Sequence, residues 1–336
     1  MSPLPDVSLR HLVELMGPHG LFEHAEGTTP RVEHGYCTDD NARLLVVTAR
    51  RPDSGDGATL SRRALAFVLS ALNANGKTHN RMDPSGAWTD EATTDDCWGR
   101  SVWALGVAAT RHGDPTVRDE ALRGFTIAAS QTSRSPRSMS FAALGAADVA
   151  SRSPRDVAAV SVMHRTLSTI GSIPSGDWCW PEARLAYANA VLAEALIAAG
   201  SAVRSAWDVE RGLRMLTWLL ERETRGGHLS VTPVGGSGPA DRGPAFDQQP
   251  IEAAALADAC ARAFEVTGDA AWTRGITAAA QWFNGANDAN LLMYDPESSG
   301  GFDGLHKDAV NLNQGAESTL ALVSTMDRAH ALAPAA

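Results

Sequence analysis

Two kinds of helical segment alternate along this chain, and the alternation limits the folds that it can adopt. Segments of the first kind carry charges on one face, and those of the second kind are nearly uncharged and rich in Ala, Gly and Leu. A helix that is apolar all round must be buried, whereas one with a charged face can line an outer wall. We predict outer helices at Ser8–Met16, Leu60–Asn73, Thr116–Ser130, Asp156–Ile170, Asp208–Arg222 and Ala270–Phe283. We predict inner helices at Asn41–Ala49, Ser101–Thr110, Ser140–Ala150, Leu185–Ala199, Ile251–Phe264 and Ala316–Met326.

Six outer helices alternating with six inner ones predict an all-α fold, the (α/α)6 toroid, in which one ring of helices surrounds another. An irregular α-solenoid or bundle is the alternative. The chain has 336 residues, and closed rings often reach this length as one domain. We therefore expect residues 1–336 to form a single domain.

The connections point to one functional face. The turns after inner helices are short, whereas the segments before them are long and rich in Gly, Trp, Asp and His. Long loops gathered at one end of a scaffold usually carry binding and catalysis. The long segments are Gly17–Thr38, Asn75–Asp95, Ser172–Ala183, Glu223–Pro250 and Asn284–Gly315. We expect the active face at the N-terminal ends of the inner helices.

Two Thr-Asp-Asp runs stand just before inner helices. They are Thr38-Asp39-Asp40 and Thr94-Asp95-Asp96, followed a turn later by Arg43 and Arg100. Asp and Thr cap helix N-termini by accepting hydrogen bonds from free backbone N–H groups. Because a cap needs one such residue, we assign the first Asp of each run to capping and the second to the cavity. The reverse assignment stays open.

Two glutamates occupy the first turns of later inner helices. Glu252 and Glu317 stand there among amides, namely Gln249, Asn313 and Gln314. A first-turn glutamate is stabilised by the helix N-terminus, which is the structural interpretation. Amides and small residues also suit recognition of sugar hydroxyls, which is the functional interpretation.

Aromatic and imidazole side chains complete the candidate site. Trp rings stack on the apolar faces of sugars or fill gaps between elements, and both interpretations apply to Trp88, Trp98, Trp178 and Trp180. The candidate histidines are His34, His228 and His306. No histidine pair has the i, i+4 spacing of a helical metal motif, so we predict no metal and no other cofactor.

Charge and cysteine use exclude several classes of protein. The net charge of −10 argues against nucleic-acid and anionic-membrane binding, since both need a basic face, and it is compatible with a carbohydrate partner. The four cysteines are far apart and form no C-x-x-C pair, which argues against a disulfide framework or structural zinc. The N-terminus has no signal-peptide pattern, so we expect a cytoplasmic protein. The sequence does not indicate an oligomeric state.

Three motifs stand at the starts of inner helices: Cys37-Thr-Asp-Asp-Asn-Ala-Arg43, Asp95-Asp-Cys-Trp-Gly-Arg-Ser-Val-Trp-Ala-Leu-Gly106 and Asn313-Gln-Gly-Ala-Glu-Ser-Thr319. They resemble motifs of the six-hairpin glycosidase superfamily, and they look like those of bacterial six-hairpin proteins often linked to glycosyltransferases. The resemblance covers about Ser8 to Met326 and implies a ring fold acting on carbohydrate. It does not imply one reaction, because this fold hosts hydrolases, phosphorylases, lyases and epimerases.

We expect a glycoside hydrolase acting on an oligosaccharide or polysaccharide, most simply with inversion, because such enzymes need two carboxyl groups beside the glycosidic bond. The first, second and sixth inner helices are neighbours in a closed ring, so their acids should converge. The catalytic candidates are Asp40, Asp96, Glu317 and Glu252. A sugar epimerase or isomerase with a His pair and a non-catalytic carbohydrate-binding protein are the alternatives.

Overall fold

Twelve α-helices run through residues 4–53 and 55–332, the part of the chain that this computed structural model describes. In chain order they are α1 (Arg10–Glu14), α2 (Thr38–Ala49), α3 (Gly55–Ala71), α4 (Asp96–Arg111), α5 (Pro115–Ala128), α6 (Pro136–Arg152), α7 (Val157–Ile170), α8 (Ala190–Ala202), α9 (Ala206–Arg222), α10 (Pro250–Thr267), α11 (Thr273–Phe283) and α12 (Ala316–His330).

The even-numbered helices form a closed inner ring. Each packs against the next, and α12 packs against α2. The odd-numbered helices lie outside them, which confirms the predicted all-α (α/α)6 toroid. The inner helices are buried on nearly every side, as their apolar composition predicts. Among the described residues, no helix is both long enough and apolar enough to cross a membrane.

Glycines set the spacing between two inner helices. A Cβ added at Gly106 of α4 would lie 2.3 Å from the Gly145 carbonyl oxygen of α6, and one added at Gly145 would lie 2.3 Å from the Val102 oxygen. A Cβ at Gly99 would lie 2.2 Å from the Ser138 oxygen. Because real Cβ atoms do not approach backbone this closely, only glycine permits α4 and α6 to pack at this distance.

Some predicted helix starts were wrong, and two of the differences bear on the site. Helix α2 begins at Thr38 and not at Asn41, so both acids of the first Thr-Asp-Asp run lie inside its first turn. Helix α8 begins at Ala190 and not at Leu185. The residues before it are held in a non-helical conformation, with a φ of 44° at Ala188.

Eight two-residue strands form four antiparallel pairs in the loops. The pairs are β1 (Ala25–Glu26) with β2 (Thr29–Pro30), β3 (Tyr36–Cys37) with β4 (Arg81–Met82), β5 (Thr224–Arg225) with β6 (His228–Leu229), and β7 (Gly304–Leu305) with β8 (Val310–Asn311). They give the long loops fixed shapes around the N-terminal ends of the inner helices.

A network of ion pairs joins the inner helices towards their C-terminal ends. Asp258 of α10 accepts hydrogen bonds from Arg50, just after α2, at 3.0 Å and from Arg328 of α12 at 2.6 Å. Arg111 of α4 donates to Asp148 of α6 at 2.9 Å. We call Arg50, Arg111, Asp148, Asp258 and Arg328 the axial ion network.

Candidate active site

A cleft opens where the inner helices begin. It consists of two joined cavities of about 390 and 560 Å³, which is within the usual range for small-molecule sites. Asp39, Arg100, Gln249 and Glu317 line both cavities. The first, second and sixth inner helices therefore bring their acidic side chains together, as their neighbouring positions in the ring predict.

Arg43 joins two carboxylates at the floor of the cleft. Its two terminal nitrogens donate to Asp40 Oδ1 and to Glu317 Oε2, each at 2.5 Å. The Asp40 side chain is buried, whereas that of Glu317 is 41% exposed. Burial raises the pKa of Asp40 to about 6; Arg43 opposes the rise and the charge of Glu317 adds to it. Glu317 is the most exposed member of this group.

Arg100 organises the neighbouring acids. It lies 2.9 Å from Asp39 Oδ1 and 3.9 Å from Asp96 Oδ2, and its guanidinium stands 4.6 Å from the centre of the Phe141 ring. Asn80 donates to the other oxygen of Asp39 at 3.1 Å. Although burial alone would raise the pKa of Asp39, Arg100 and then Arg43 bring it below its ordinary value. Asp39 is therefore an ionised member of the cleft wall.

Asp96 is held by two hydroxyl groups. Tyr187 donates to its Oδ2 at 2.6 Å, and Ser138 donates to its Oδ1 at 2.8 Å. Tyr187 lies just before α8 and was not predicted from the sequence, since nothing local marks it as a partner of α4. Asp95 is exposed and lines the same cavity.

The capping roles assigned to the first Asp of each run were wrong. The N-cap of α2 is Cys37, whose sulfur accepts from the backbone N–H of Asp40 at 3.4 Å. Asp39 is the second residue of the helix and pairs with Arg100 instead. Asp95 occupies the N-cap position of α4, but its side chain makes no capping hydrogen bond. The carboxylates that looked like caps are thus available to the cleft.

The opposite wall contains acids that the sequence analysis missed. Burial raises the pKa of Asp247, and its Oδ1 has no hydrogen-bond partner among the described residues. A Cβ at Gly304 would lie 2.2 Å from this oxygen, so glycine there leaves room for the carboxyl group. Burial also raises the pKa of Asp303, which accepts from Ser318 and from the Gly315 N–H. The one local signal was the position of Asp247 just before an inner helix.

Glu252 does not belong to the cleft, contrary to its prediction as a catalytic residue. Its side chain is buried and accepts from the backbone N–H groups of Ala188 and Asn189 and from the Asn189 amide at 3.0 Å. It thereby satisfies the amides at the start of α8. Burial, and then the charge of Glu223, raise the pKa of Glu252 to about 8. This glutamate is structural.

The predicted tryptophans do not line the cleft, because they fill gaps between elements. Trp98 is fully buried and donates to the Ala128 carbonyl at 3.0 Å. Trp88 packs on Phe67 and on His79. Trp180 is fully buried, and Trp178 donates to the Glu182 carbonyl. The prediction of stacking platforms in the cleft was wrong.

The predicted histidines also lie outside the cleft lining. His34 is exposed and packs edge-on against His24, with ring centres 5.2 Å apart. His228 bonds to Asp288 at 3.0 Å. His306 lies on the rim, 3.9 Å from Asp247. Of the histidines in the described chain, His24 alone lines the cleft.

The three predicted amides are divided between cleft and scaffold. Gln249 lines both cavities. Gln314 is buried and bonds to Ser298 and Asp295, and Asn313 accepts from the Gly27 N–H at 3.1 Å. Gln314 and Asn313 therefore brace the loop before α12 and do not face the substrate space.

One group of potential metal ligands lies in the cleft. Donor atoms of Glu23, Cys37 and Asp40 are within 4.8 Å of one another. Arg81 already pairs with Glu23, and Arg43 pairs with Asp40. Burial, together with the charge of Asp40, raises the pKa of the Cys37 thiol well above its ordinary value. A cation would meet two guanidinium groups and a protonated thiol, so these residues do not fit a metal ion.

Neither a protein-family model nor a curated protein matches the chain. Solved structures do. A sugar epimerase from a ruminal bacterium matches with a TM-score of 0.71 at 11% identity over 98% of both chains. A D-mannose isomerase matches with a TM-score of 0.68 at 10% identity over 96% of this chain and 95% of the other. A GH76 α-mannanase from Bacteroides thetaiotaomicron matches with a TM-score of 0.64 at 10% identity, over 96% and 92%. These matches establish the six-hairpin fold.

Proposed function

We propose that the protein is a glycoside hydrolase that acts by carboxylate acid–base chemistry. The observation that supports it is the cleft itself, which gathers carboxylates from α2, α4, α12 and three loops. The three histidines considered for the alternative mechanism, His34, His228 and His306, do not line it. Glycoside hydrolysis needs one carboxyl group that donates a proton and one that activates water.

Asp247 is the proposed general acid. A general acid must hold its proton at neutral pH and must present it to the leaving oxygen. Burial raises the pKa of Asp247, its buried Oδ1 has no hydrogen-bond donor among the described residues, and its side chain as a whole is 30% exposed. It also lines the cleft, on the segment that leads into α10. These properties fit a proton donor better than those of Asp96, which already accepts two hydroxyl hydrogen bonds.

Glu317 is the proposed general base. The guanidinium of Arg43 donates to its Oε2 at 2.5 Å and so fixes the direction of the carboxylate. Asp40 holds the other side of Arg43 and so acts as a positioning residue. We propose an inverting reaction, in which the two carboxyl groups stand about 6.5–9.5 Å apart and a water molecule lies between the base and the sugar.

The remaining polar groups are proposed to bind sugar hydroxyls. Asp39, Asp96 and Arg100 form one wall, and Gln249 spans both cavities. Charged groups make strong hydrogen bonds to hydroxyls, which gives orientation as well as affinity. A cleft so rich in carboxylates repels phosphodiesters and anionic lipid, so a carbohydrate and not a nucleic acid or membrane is the proposed partner.

A panel of α- and β-linked oligosaccharides tests this proposal. The expected result is release of reducing ends, with the first product of inverted configuration by NMR. Glu317→Gln should lower turnover by roughly 10² or more, whereas Asp119→Asn, an exposed change on the outer helix α5, should have no effect. Conversion of a reducing sugar to its 2-epimer without hydrolysis would favour the epimerase alternative. Binding of sugars without any turnover would favour a carbohydrate-binding protein.

A further inference from the structure

A second pocket, of about 360 Å³, lies on the outer wall of the ring. It is formed by the C-terminal end of α9 and the segment that follows. Since α9 turns back from α8 after only three residues, this end of α9 points towards the face that carries the cleft. We call Trp218, Arg222, Arg225 and Arg242 the arginine pocket.

The three arginines of this pocket have no carboxylate partner among the described residues. Arg222 donates to the Gly238 carbonyl at 2.6 Å and to the Ser237 hydroxyl at 3.0 Å. Arg242 donates to the carbonyls of Pro239 and Asp241. The Nε of Arg225 is buried and has no hydrogen-bond partner. Their positive charges are therefore not neutralised by ion pairs within this part of the protein.

Two acids line the same pocket but leave these charges unpaired. Asp241 faces Arg184, with 3.4 Å between nitrogen and oxygen. Glu221 makes no ion pair with the three arginines. Burial, and then the charges of Arg242 and Arg225, lower the pKa of Arg222, and the charges of Glu223 and Asp241 act in the opposite direction. Three like charges converge here in a chain whose net charge is −10, so the cluster is not a by-product of a basic composition.

Aromatic packing holds the pocket in shape. The Arg222 guanidinium stands 4.8 Å from the centre of the Trp178 ring and 5.7 Å from that of Trp218. The two indoles meet edge to face at 5.1 Å. Stacking and hydrogen bonding fix the guanidinium before any ligand arrives, which lowers the entropy lost on binding.

We propose that the arginine pocket binds a sugar that carries an oxyanion, either the carboxylate of a uronic acid or a sulfate or phosphate ester. Guanidinium groups match the geometry of such anions, and Trp218 lines the same pocket. The pocket and the cleft share one face of the protein, and the arginines of the pocket, unlike the acidic cleft, attract an anionic sugar. Binding at the pocket needs no catalysis and does not depend on the hydrolase proposal.

Calorimetry at low salt tests this site. The wild-type protein is titrated with an oligosaccharide of glucuronate, with a sulfated oligosaccharide, with a neutral oligosaccharide of the same length, and with inorganic phosphate. We expect at least one acidic sugar to bind, the neutral sugar to bind about tenfold more weakly or not at all, and the affinity to fall as salt rises. The two acidic ligands distinguish carboxylate from ester recognition.

Variants locate the binding. Arg225→Gln and Arg242→Gln should each weaken the acidic ligand about tenfold, whereas Arg214→Gln, an exposed change on α9 outside the pocket, should not. Circular dichroism checks the fold of each variant. Glu317→Gln should bind the acidic sugar as wild type does, whether or not hydrolysis is ever detected. Equal affinity for acidic and neutral sugars, binding of phosphate alone, or unchanged affinity in both pocket variants would overturn the proposal.

Discussion

Arginine–carboxylate ion pairs occur at both ends of helix α2, but the two groups differ in their surroundings. At its start, Arg43 pairs with Asp40 and Glu317. Just after its end, Arg50 pairs with Asp258. Both groups join α2 to another inner helix, yet Glu317 is 41% exposed and the Asp258 side chain only 9%. Pairing with arginine alone therefore does not mark a functional acid.

The two ends of α2 differ in solvent exposure and in the ratio of acidic to basic side chains. In the axial ion network, Asp258 is flanked by Arg50 and Arg328, and Asp148 pairs with Arg111, so each acid has an arginine partner. In the cleft, Arg43 and Arg100 are outnumbered by acids. A surplus of acids beside an open cavity leaves carboxyl groups for a substrate, whereas a balanced buried cluster serves the fold.

The largest expected effect belongs to the axial ion network. Asp258→Ala leaves Arg50 and Arg328 buried without their carboxylate, and breaking a buried pair in this way costs about 3–5 kcal/mol of the free energy of unfolding. Turnover per folded molecule should stay at the wild-type level. Urea denaturation and a rate assay measure the two quantities. A loss under about 1 kcal/mol, as for a surface pair, would show that the network is dispensable.

The next largest effect is expected in the cleft, where a substitution should lower activity and leave stability unchanged. Asp96→Asn keeps the size of the side chain but removes the charge that faces Tyr187 and Arg100. Because Asp96 is proposed to bind a sugar hydroxyl, losing this charge-assisted hydrogen bond should lower kcat/KM by about tenfold or more, with the melting temperature nearly unchanged. A near-wild-type kcat/KM would assign Asp96 to the scaffold together with Asp258.

Asp40 should appear in the pH dependence of stability. Its pKa is about 6 in the folded protein and 3.8 ordinarily, so between these values the folded state holds a proton that the unfolded chain releases. The free energy of unfolding should therefore fall as pH rises through this window, by about 2 kcal/mol. Denaturation of Asp40→Asn at pH 4 and pH 7 should show a smaller fall than in wild type. An equal fall in both proteins would contradict the assigned pKa.

The smallest effect tests the opposite wall of the cleft. Gly304→Ala puts a methyl group 2.2 Å from the present position of Asp247 Oδ1. A side-chain end can move aside, so stability should hardly change, but the displaced carboxyl group should lower turnover about tenfold. Turnover equal to wild type would mean that the position of Asp247 does not matter.

Much of the fold follows from local pattern. The ring was predictable because helices with and without a charged face alternate, and the acids at helix starts were predictable because a closed ring brings those starts together. The N-cap of α2 was not predictable, because the sulfur of Cys37 accepts the hydrogen bond that was expected for an aspartate. Tyr187 and Asp303 were missed because they reach the cleft through long loops, whose paths depend on distant contacts.

The tryptophans and Glu252 were misassigned for a related reason. A residue type suited to a sugar site is equally suited to filling a gap or to binding free amides, and only burial distinguishes these roles. Trp98 and Trp180 turned inward, and Glu252 bonded to the backbone of Ala188 and Asn189. The spacing of residues in the sequence predicts the end of the ring at which a side chain lies. It does not predict whether that side chain lines the cleft or packs between the helices and loops.

The most direct test of carboxylate catalysis in the cleft is the response of Asp247→Asn to the leaving group. Turnover is measured for the variant and the wild type on a glycoside with a sugar leaving group and on one with a dinitrophenol leaving group. A strongly acidic phenol departs without protonation, so loss of a general acid matters little for it. We predict a loss of roughly 10² or more with the sugar leaving group and near-normal turnover with the phenol. An equal loss with both substrates would contradict the account.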